Sequence, residues 1–379
     1  MKFLEKYLLL LYLIANATAE YLALMFLSKY LFYVVLSLSL PLVLSRGFFS
    51  NKIRRQCPYI YVLITIYIIA QFVFQTDLMT LENVLFTIGK VVTLCIMMLC
   101  ISSHFETYFK SIILPFSYGI LGLLLVGWFH NKTGIGMDDY IVFGFANRNA
   151  ACILGAISFA GILFSKEKFS YTDYACMAFL LVTILVGGSR NALAMCFMFF
   201  LIRFGFSIRL IAAAFVGIVS VLYILPELGI EVTALERLEG SLTGAVSLDR
   251  EDQRNAAIWM VQQRPWSGWG YSHENYGYAA SLTEYGAHHG YLTTLENLGI
   301  PLGMLWILTV VIGTLKSLKL YRLHDRTINY HLAVVIAILF SACFEDFLVG
   351  VNQITTNVFF VSFVVLGIYK YKYGYNKQI

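Results

Sequence analysis

The chain has 379 residues, of which 59% are hydrophobic and only 13% charged, with a formal net charge of +5 and a mean hydropathy of +0.74. A soluble globular protein carries about 25% charged residues. The deficit, with repeated apolar stretches of about 18 or more residues, excludes an ordinary soluble fold and reads as a polytopic membrane protein. The excess of Lys and Arg then reports orientation rather than nucleic acid, because no basic stripe with interleaved aromatics lies outside the membrane-flanking loops.

The chain opens MKFLEKYLLLLYLIANATAEY, a basic start and an apolar stretch ending in Ala17-Thr18-Ala19. That is the outline of a cleavable signal peptide. Apolar character resumes at once in YLALMFLSKYLF, so an uncleaved first helix is expected. Spans are predicted at roughly 4–26, 30–45, 58–75, 83–102, 110–129, 148–165, 174–188, 191–204, 209–226, 297–316, 331–350 and 353–370. The expected fold is an all-α polytopic membrane protein with about twelve transmembrane helices and one large extracytoplasmic loop. Three regions follow: an N-terminal transmembrane bundle of about nine spans over 1–226, a loop domain over 227–296, and C-terminal transmembrane helices with a cytoplasmic tail over 297–379.

With the N-terminus in the cytoplasm, eighteen Lys and Arg fall inside and eight outside, with Lys90 within a span. This bias places both termini inside. The junction GGSRN (187–191), the loop HNKTGIGMDDYIVFGFANRN (130–149) and the long polar segment then share the extracytoplasmic face. The seven cysteines (Cys57, Cys95, Cys100, Cys152, Cys176, Cys196 and Cys343) lie in apolar runs or at their edges. Without CxxC or metal-ligand spacing they read as small buried hydrophobes.

The long loop is not linker-like. Its stretch PELGIEVTALERLEGSLTGAVSLDREDQRNAAIWMVQQRPW has helical spacing with a cap at Ser247 or Asp249. It continues SGWGYSHENYGYAASLTEYGAHHGY, whose Gly and aromatic content suits tight turns and stacking surfaces. Trp266, Trp269, Tyr271 and Tyr291 are candidate glycan contacts; the alternative is an aromatic belt at the membrane interface.

His288 and His289 are different in kind. A neutral histidine accepts a proton near neutral pH, and a sugar hydroxyl must lose one when it attacks an electrophile. The alternative is a histidine that caps a helix. Arg190 in GGSRNAL, with Arg250 and Arg254 in LDREDQRNAAIW, supply planar forks that bind phosphate oxygens in pairs. Against this, Arg190 can snorkel to headgroups and Arg254 can sit on an exposed helix face. Arg148 in FANRNA joins the set. Lys90, within VLFTIGKVVTL, is a functional candidate because a charge in hydrocarbon is costly; it can equally line a wet cavity or snorkel outwards.

No Walker loop, dinucleotide fingerprint, HExxH or Asp-x-Asp occurs, and no metal site is expected. An outward-facing enzyme has no ATP or nucleotide sugar to use, so its donor must arrive activated, and a lipid diphosphate is the obvious form.

Four stretches in order carry a resemblance: FANRNA, GGSRNAL, RNAAIW followed by RPWSGWGY, and AHHGYLTTLENLGIPLG. Over about residues 140–310 the chain resembles the O-antigen ligase and polymerase superfamily of bacterial envelope enzymes. The last stretch is similar to the family pattern H-N-x-Y-L…E-x-G-x-x-G, with His288 at the histidine and His289 where the family has Asn. The resemblance implies transfer of a glycan from undecaprenyl diphosphate to a sugar hydroxyl at the periplasmic face of the inner membrane, without cofactor, metal or nucleotide. Arg190 and Arg254 would hold the diphosphate, and His288 would sit at the acceptor hydroxyl. Arg250, Arg148, His289, Tyr291, Trp266, Trp269 and Lys90 would contact substrate.

The implied partners are an undecaprenyl-diphosphate-linked oligosaccharide, a glycan or lipid A core acceptor, membrane lipid and a chain-length regulator, with no nucleic acid. Polymerisation of repeat units is the expected reaction, because the loop is compact and shows no extra basic patch for a lipid A core. The rival within the family is ligation of finished glycan to that core. A transporter is the rival from another class, but transporters place polar residues near the midplane of broken helices rather than on one face.

Overall fold

The computed structural model describes residues 2–19, 21, 30, 34–35, 37–39, 41, 51–130, 145, 148–205, 212, 216, 247–271, 289–322, 325–348, 350 and 353–373. Within them the chain is helical, with no strand beyond a single bridge between Tyr21 and Phe145. The helices in chain order are α1 (Lys2–Ala19), α2 (Asn51–Gln56), α3 (Pro58–Ile69), α4 (Leu81–Ser103), α5 (Ile113–His130) and α6 (Arg148–Ser165). They continue with α7 (Tyr171–Val186), α8 (Arg190–Phe204), α9 (Ser247–Gln263), α10 (Gly290–Leu318), α11 (Arg326–Ser341) and α12 (Ile354–Tyr373).

Among the described residues three helices, α4, α10 and α12, are long and apolar enough to cross a membrane. α10 displays Leu305, Leu308, Ile312 and Leu315 as an exposed stripe at helical spacing. Water would not tolerate such a face, but lipid does, and the protein is membrane-integral. Ten predicted spans overlap helices. Those at 30–45 and 209–226 lie mostly outside the described residues, as does most of the predicted loop at 227–246 and 272–288. The helix expected near Ser247 is present as α9.

α6 and α12 form the middle of the bundle. Residues 150–164 and 354–366 are buried on every side, as expected for helices apolar all round. α6 packs against α5, α7, α8 and α11, and α12 against α4, α10 and α11. The cysteines of the described residues are all free, and five of the seven are buried.

Helix ends follow local chemistry. α7 starts with a capping box in which Ser170 and Asp173 serve each other's backbone, while Lys166 pairs with Asp173 at 2.6 Å. α10 breaks at Gly299, whose φ of 74° suits a residue without Cβ, two residues before Pro301. The break lets the 265–270 loop dock on it. Ile300 N–H donates to Pro265 O, Trp269 N–H to Glu296 O, and Gly270 N–H to Asn297 O, at 2.7 to 3.1 Å. Gln75 ties the same loop to the α3–α4 connection by donating to Ser267 O and Asn297 O.

Candidate functional site

Ser189 caps α8 by accepting from Ala192 N–H, and this sets Arg190 at the first helical position, exposed at the helix end. Beside it opens a cavity of about 400 Å³ lined by Asn149, Ser189, Arg190, Asn191, Phe340, Phe344 and Glu345, among others. Three helices and a junction contribute: the start of α6, the α7–α8 junction, the start of α8 and the end of α11 with the turn after it. Asn149 Nδ2 donates to Glu345 Oε1 at 3.0 Å, and Asn191 Nδ2 donates to Ser341 Oγ at 2.5 Å. The carboxylate of Glu345 is buried in a residue 4% exposed, beside the positive Arg190 wall. Asn191 Oδ1 is buried with no hydrogen-bond partner among the described residues, an acceptor available to a bound hydroxyl.

The turn after α11 also holds the histidine segment. Gly290 N–H donates to Ala342 O at 2.8 Å and to Glu345 O at 3.0 Å. A Cβ at residue 290 would lie 3.1 Å from Glu345 O and 3.2 Å from Ala342 Cβ, so any larger residue needs its neighbours to give by a few tenths of an ångström. Tyr291 supports it, its hydroxyl donating to Leu339 O at 2.8 Å.

His289, half-buried, is the N-cap of α10, and its Nδ1 accepts from Leu292 N–H at 3.3 Å. With Nδ1 accepting, the neutral ring carries its proton on Nε2. In this state His289 can donate a hydrogen bond to a substrate oxygen but cannot take a proton without giving up the cap. Burial pushes its imidazole below the ordinary histidine value, and the charge of Arg254 adds to that. Arg254 projects from α9, which packs on α10, and is exposed with a loose contact to Glu251 at 3.9 Å.

The other sequence-predicted residues fall in varied places. Arg148 starts α6 and Arg250 lies in the first turn of α9, but their side chains lie outside the described residues, as does all of His288. Trp266 is exposed. Trp269 donates from Nε1 to Met260 O at 2.9 Å beneath the Arg264 guanidinium, and Arg264 also pairs with Asp77. Lys90 is buried with its ammonium 4.1 Å from the Tyr271 ring centroid and 5.3 Å from that of Tyr67. The structure thus brings Arg190 together with the mooring of the His289 stretch, and sets Arg254 within electrostatic reach of His289. Lys90 and Trp269 both make contacts of the 264–271 loop.

Sequence reading missed Glu345, Asn149, Asn191 and Ser341. One signal was available: Glu345 and Asp346 fell inside a predicted span, where a carboxylate is costly and marks a candidate site.

The cavity wall, α9 and the histidine cap lie largely within one stretch of chain that known proteins share. Residues 175–307 match the O-antigen ligase family (Wzy_C). The O-antigen ligase match runs from α7 through the first half of α10 and includes Arg190, Arg254, His288 and His289. It supports the resemblance to the O-antigen ligase and polymerase superfamily drawn from the four motifs. Asn149 and Glu345 lie outside the matched segment, so the O-antigen ligase stretch supplies one wall of the cavity and its flanks supply the other. No curated protein matches the chain.

Proposed function

We propose that the protein is a lipid-diphosphate-dependent glycosyltransferase that works without metal or nucleotide on the periplasmic face of the bacterial inner membrane. It moves a glycan from undecaprenyl diphosphate to a sugar hydroxyl, and the reaction is polymerisation of O-antigen or capsule repeat units. The observation that supports this most is the cavity where the Arg190 guanidinium, the Asn149–Glu345 pair and Asn191 meet, moored to the histidine segment inside the family-matched stretch.

In the proposed step the acceptor oxygen attacks the anomeric carbon, the bond from that carbon to the diphosphate oxygen breaks, and undecaprenyl diphosphate leaves with the electron pair. Arg190 and Arg254 meet the developing charge on the leaving diphosphate with bidentate, charge-assisted hydrogen bonds. The hydroxyl proton passes to His288, and His289 offers its Nε2–H to a substrate oxygen while its Nδ1 holds the start of α10. Asn191 and Glu345 orient the acceptor. In this reading Arg148, Arg250, Tyr291 and Trp266 contact substrate, with the exposed Trp266 offering a face for a sugar ring.

Ligation of finished glycan to lipid A core is the second reading, favoured by the printed description of the matched family. Gene deletion in a polysaccharide-producing host separates the two. A polymerase deletion leaves at most one repeat unit on the core, whereas a ligase deletion leaves bare core and accumulated lipid-linked polymer. Bare core with accumulated polymer rejects polymerisation and installs ligation.

A further inference from the structure

The other end of α10 carries a second site of a different character. A cavity of about 900 Å³ lies between the starts of α3, the end of α10 and the end of α12, with Arg55, Lys316, Lys370 and Lys372 in its wall. No Asp or Glu lines it among the described residues. Lys370 is half-buried within electrostatic reach of both Lys316 and Lys319. Like charges gathered in a concave, partly desolvated site repel one another, and a bound anion relieves that repulsion.

The backbone adds to the field. α3 begins here with Pro58 in its first turn and Cys57 as an N-cap that makes no side-chain capping bond. Ile60 N–H is met by Cys57 O at 3.3 Å, and the helix dipole gives this end a partial positive charge. Part of the wall is apolar: Tyr59 and Phe363 lie against Gly313, and Cys57 lies against Gly367. Lys316 lies 5.6 Å from the Tyr59 ring centroid, which sets a cation at the border of the two zones.

We propose that this cavity is a binding site for the headgroup of an anionic phospholipid, its phosphate among the four cations and its first acyl carbons along Tyr59 and Phe363. The amphipathic wall decides for lipid over a soluble phosphate compound, which would fill only the charged mouth. The position supports it as well, because α10 and α12 are long and apolar enough to span a bilayer and the cavity sits at their ends. Basic pockets between transmembrane helices take anionic headgroups. The site is separate from the transfer chemistry proposed around Arg190, which belongs to the opposite end of α10.

The test is native mass spectrometry of the full-length protein in mild detergent, titrated with phosphatidylglycerol or phosphatidylcholine of the same chain length. The wild type should retain phosphatidylglycerol, and the double variant Lys316→Gln/Lys370→Gln should retain it roughly tenfold less. The charge-keeping double variant Lys316→Arg/Lys370→Arg should retain it like the wild type, which separates lost charge from lost fold. Equal retention of the two lipids by the wild type, or of phosphatidylglycerol by wild type and Gln variant, overturns the proposal. Displacement of bound lipid by an equal concentration of inorganic phosphate also overturns it, reassigning the site to a soluble anion.

Discussion

Gly290 and Glu345 are joined backbone to backbone: the Gly290 amide donates to the Glu345 carbonyl at 3.0 Å, and the Glu345 side chain meanwhile accepts from Asn149 in the Arg190 cavity. One residue thereby links the entry to α10 with the start of α6. The histidine segment and the arginine cavity are positioned by a turn distant from both in sequence.

Gly290→Val is expected to break this link. Its Cβ would crowd Glu345 O and Ala342 Cβ at just over 3 Å before any further methyl is placed. Overpacking of this kind costs about 1–3 kcal/mol, so the thermal midpoint in detergent should fall and glycan transfer should be lost. An unchanged midpoint with full transfer would show that the turn is soft.

A charge swap tests the Asn149–Glu345 contact. Asn149→Asp sets two carboxylates against each other and should destabilise the protein by about 1–3 kcal/mol. Adding Glu345→Gln restores a donor–acceptor pair, because the Gln amide can donate to the new carboxylate. Stability should then recover in the double variant, measured by the midpoint in detergent. If both single effects simply add, the two side chains do not interact.

The pH dependence follows from His289. Its folded value lies below the ordinary one because burial and Arg254 disfavour the imidazolium. The unfolded chain therefore binds the proton first, so the stability due to the neutral ring is present above about pH 6.5 and is lost as pH falls below it. Protonation at Nδ1 also removes the acceptor for Leu292 N–H. His289→Asn can cap without titrating, so its midpoint should decline less between about pH 7.5 and 5.5. Parallel declines would remove His289 from the account.

Two tryptophans of one motif should behave differently. Trp269→Phe deletes the bond to Met260 O and should cost about 0.5–1.5 kcal/mol of stability with KM for the glycan donor unchanged. Trp266→Ala touches an exposed ring, and should leave the midpoint alone while raising KM. The reverse pattern would move the sugar contact to Trp269.

Much of the fold was legible because hydrophobic periodicity needs no partner. The predicted span at 148–165 is α6, and those at 83–102 and 191–204 match α4 and α8 within two residues. The predicted span at 331–350 overran α11 for a physical reason. FSACFEDFLVG is apolar on average, yet the helix ends at Ser341 because the following carbonyls turn to receive the Gly290 amide. A hydropathy window cannot see a turn closed by a residue some fifty positions away. The same blindness hid Glu345. Arg190 was legible because an arginine between two apolar runs has few harmless places to go. Its neighbours Asn149 and Asn191 were not, since a single asparagine is ordinary until the fold brings it beside a carboxylate.

The central claim is that the Arg190 cavity holds a lipid diphosphate while a sugar hydroxyl displaces it. Its most direct test gives the purified protein only undecaprenyl-diphosphate-linked repeats, in the presence of chelator, and follows product chains and released undecaprenyl diphosphate. The wild type should build a ladder, and Arg190→Lys, present in equal amount and equally folded, should slow it by about 100-fold or more because an ammonium lacks the planar fork. A ladder formed by Arg190→Lys at the wild-type rate would contradict the account.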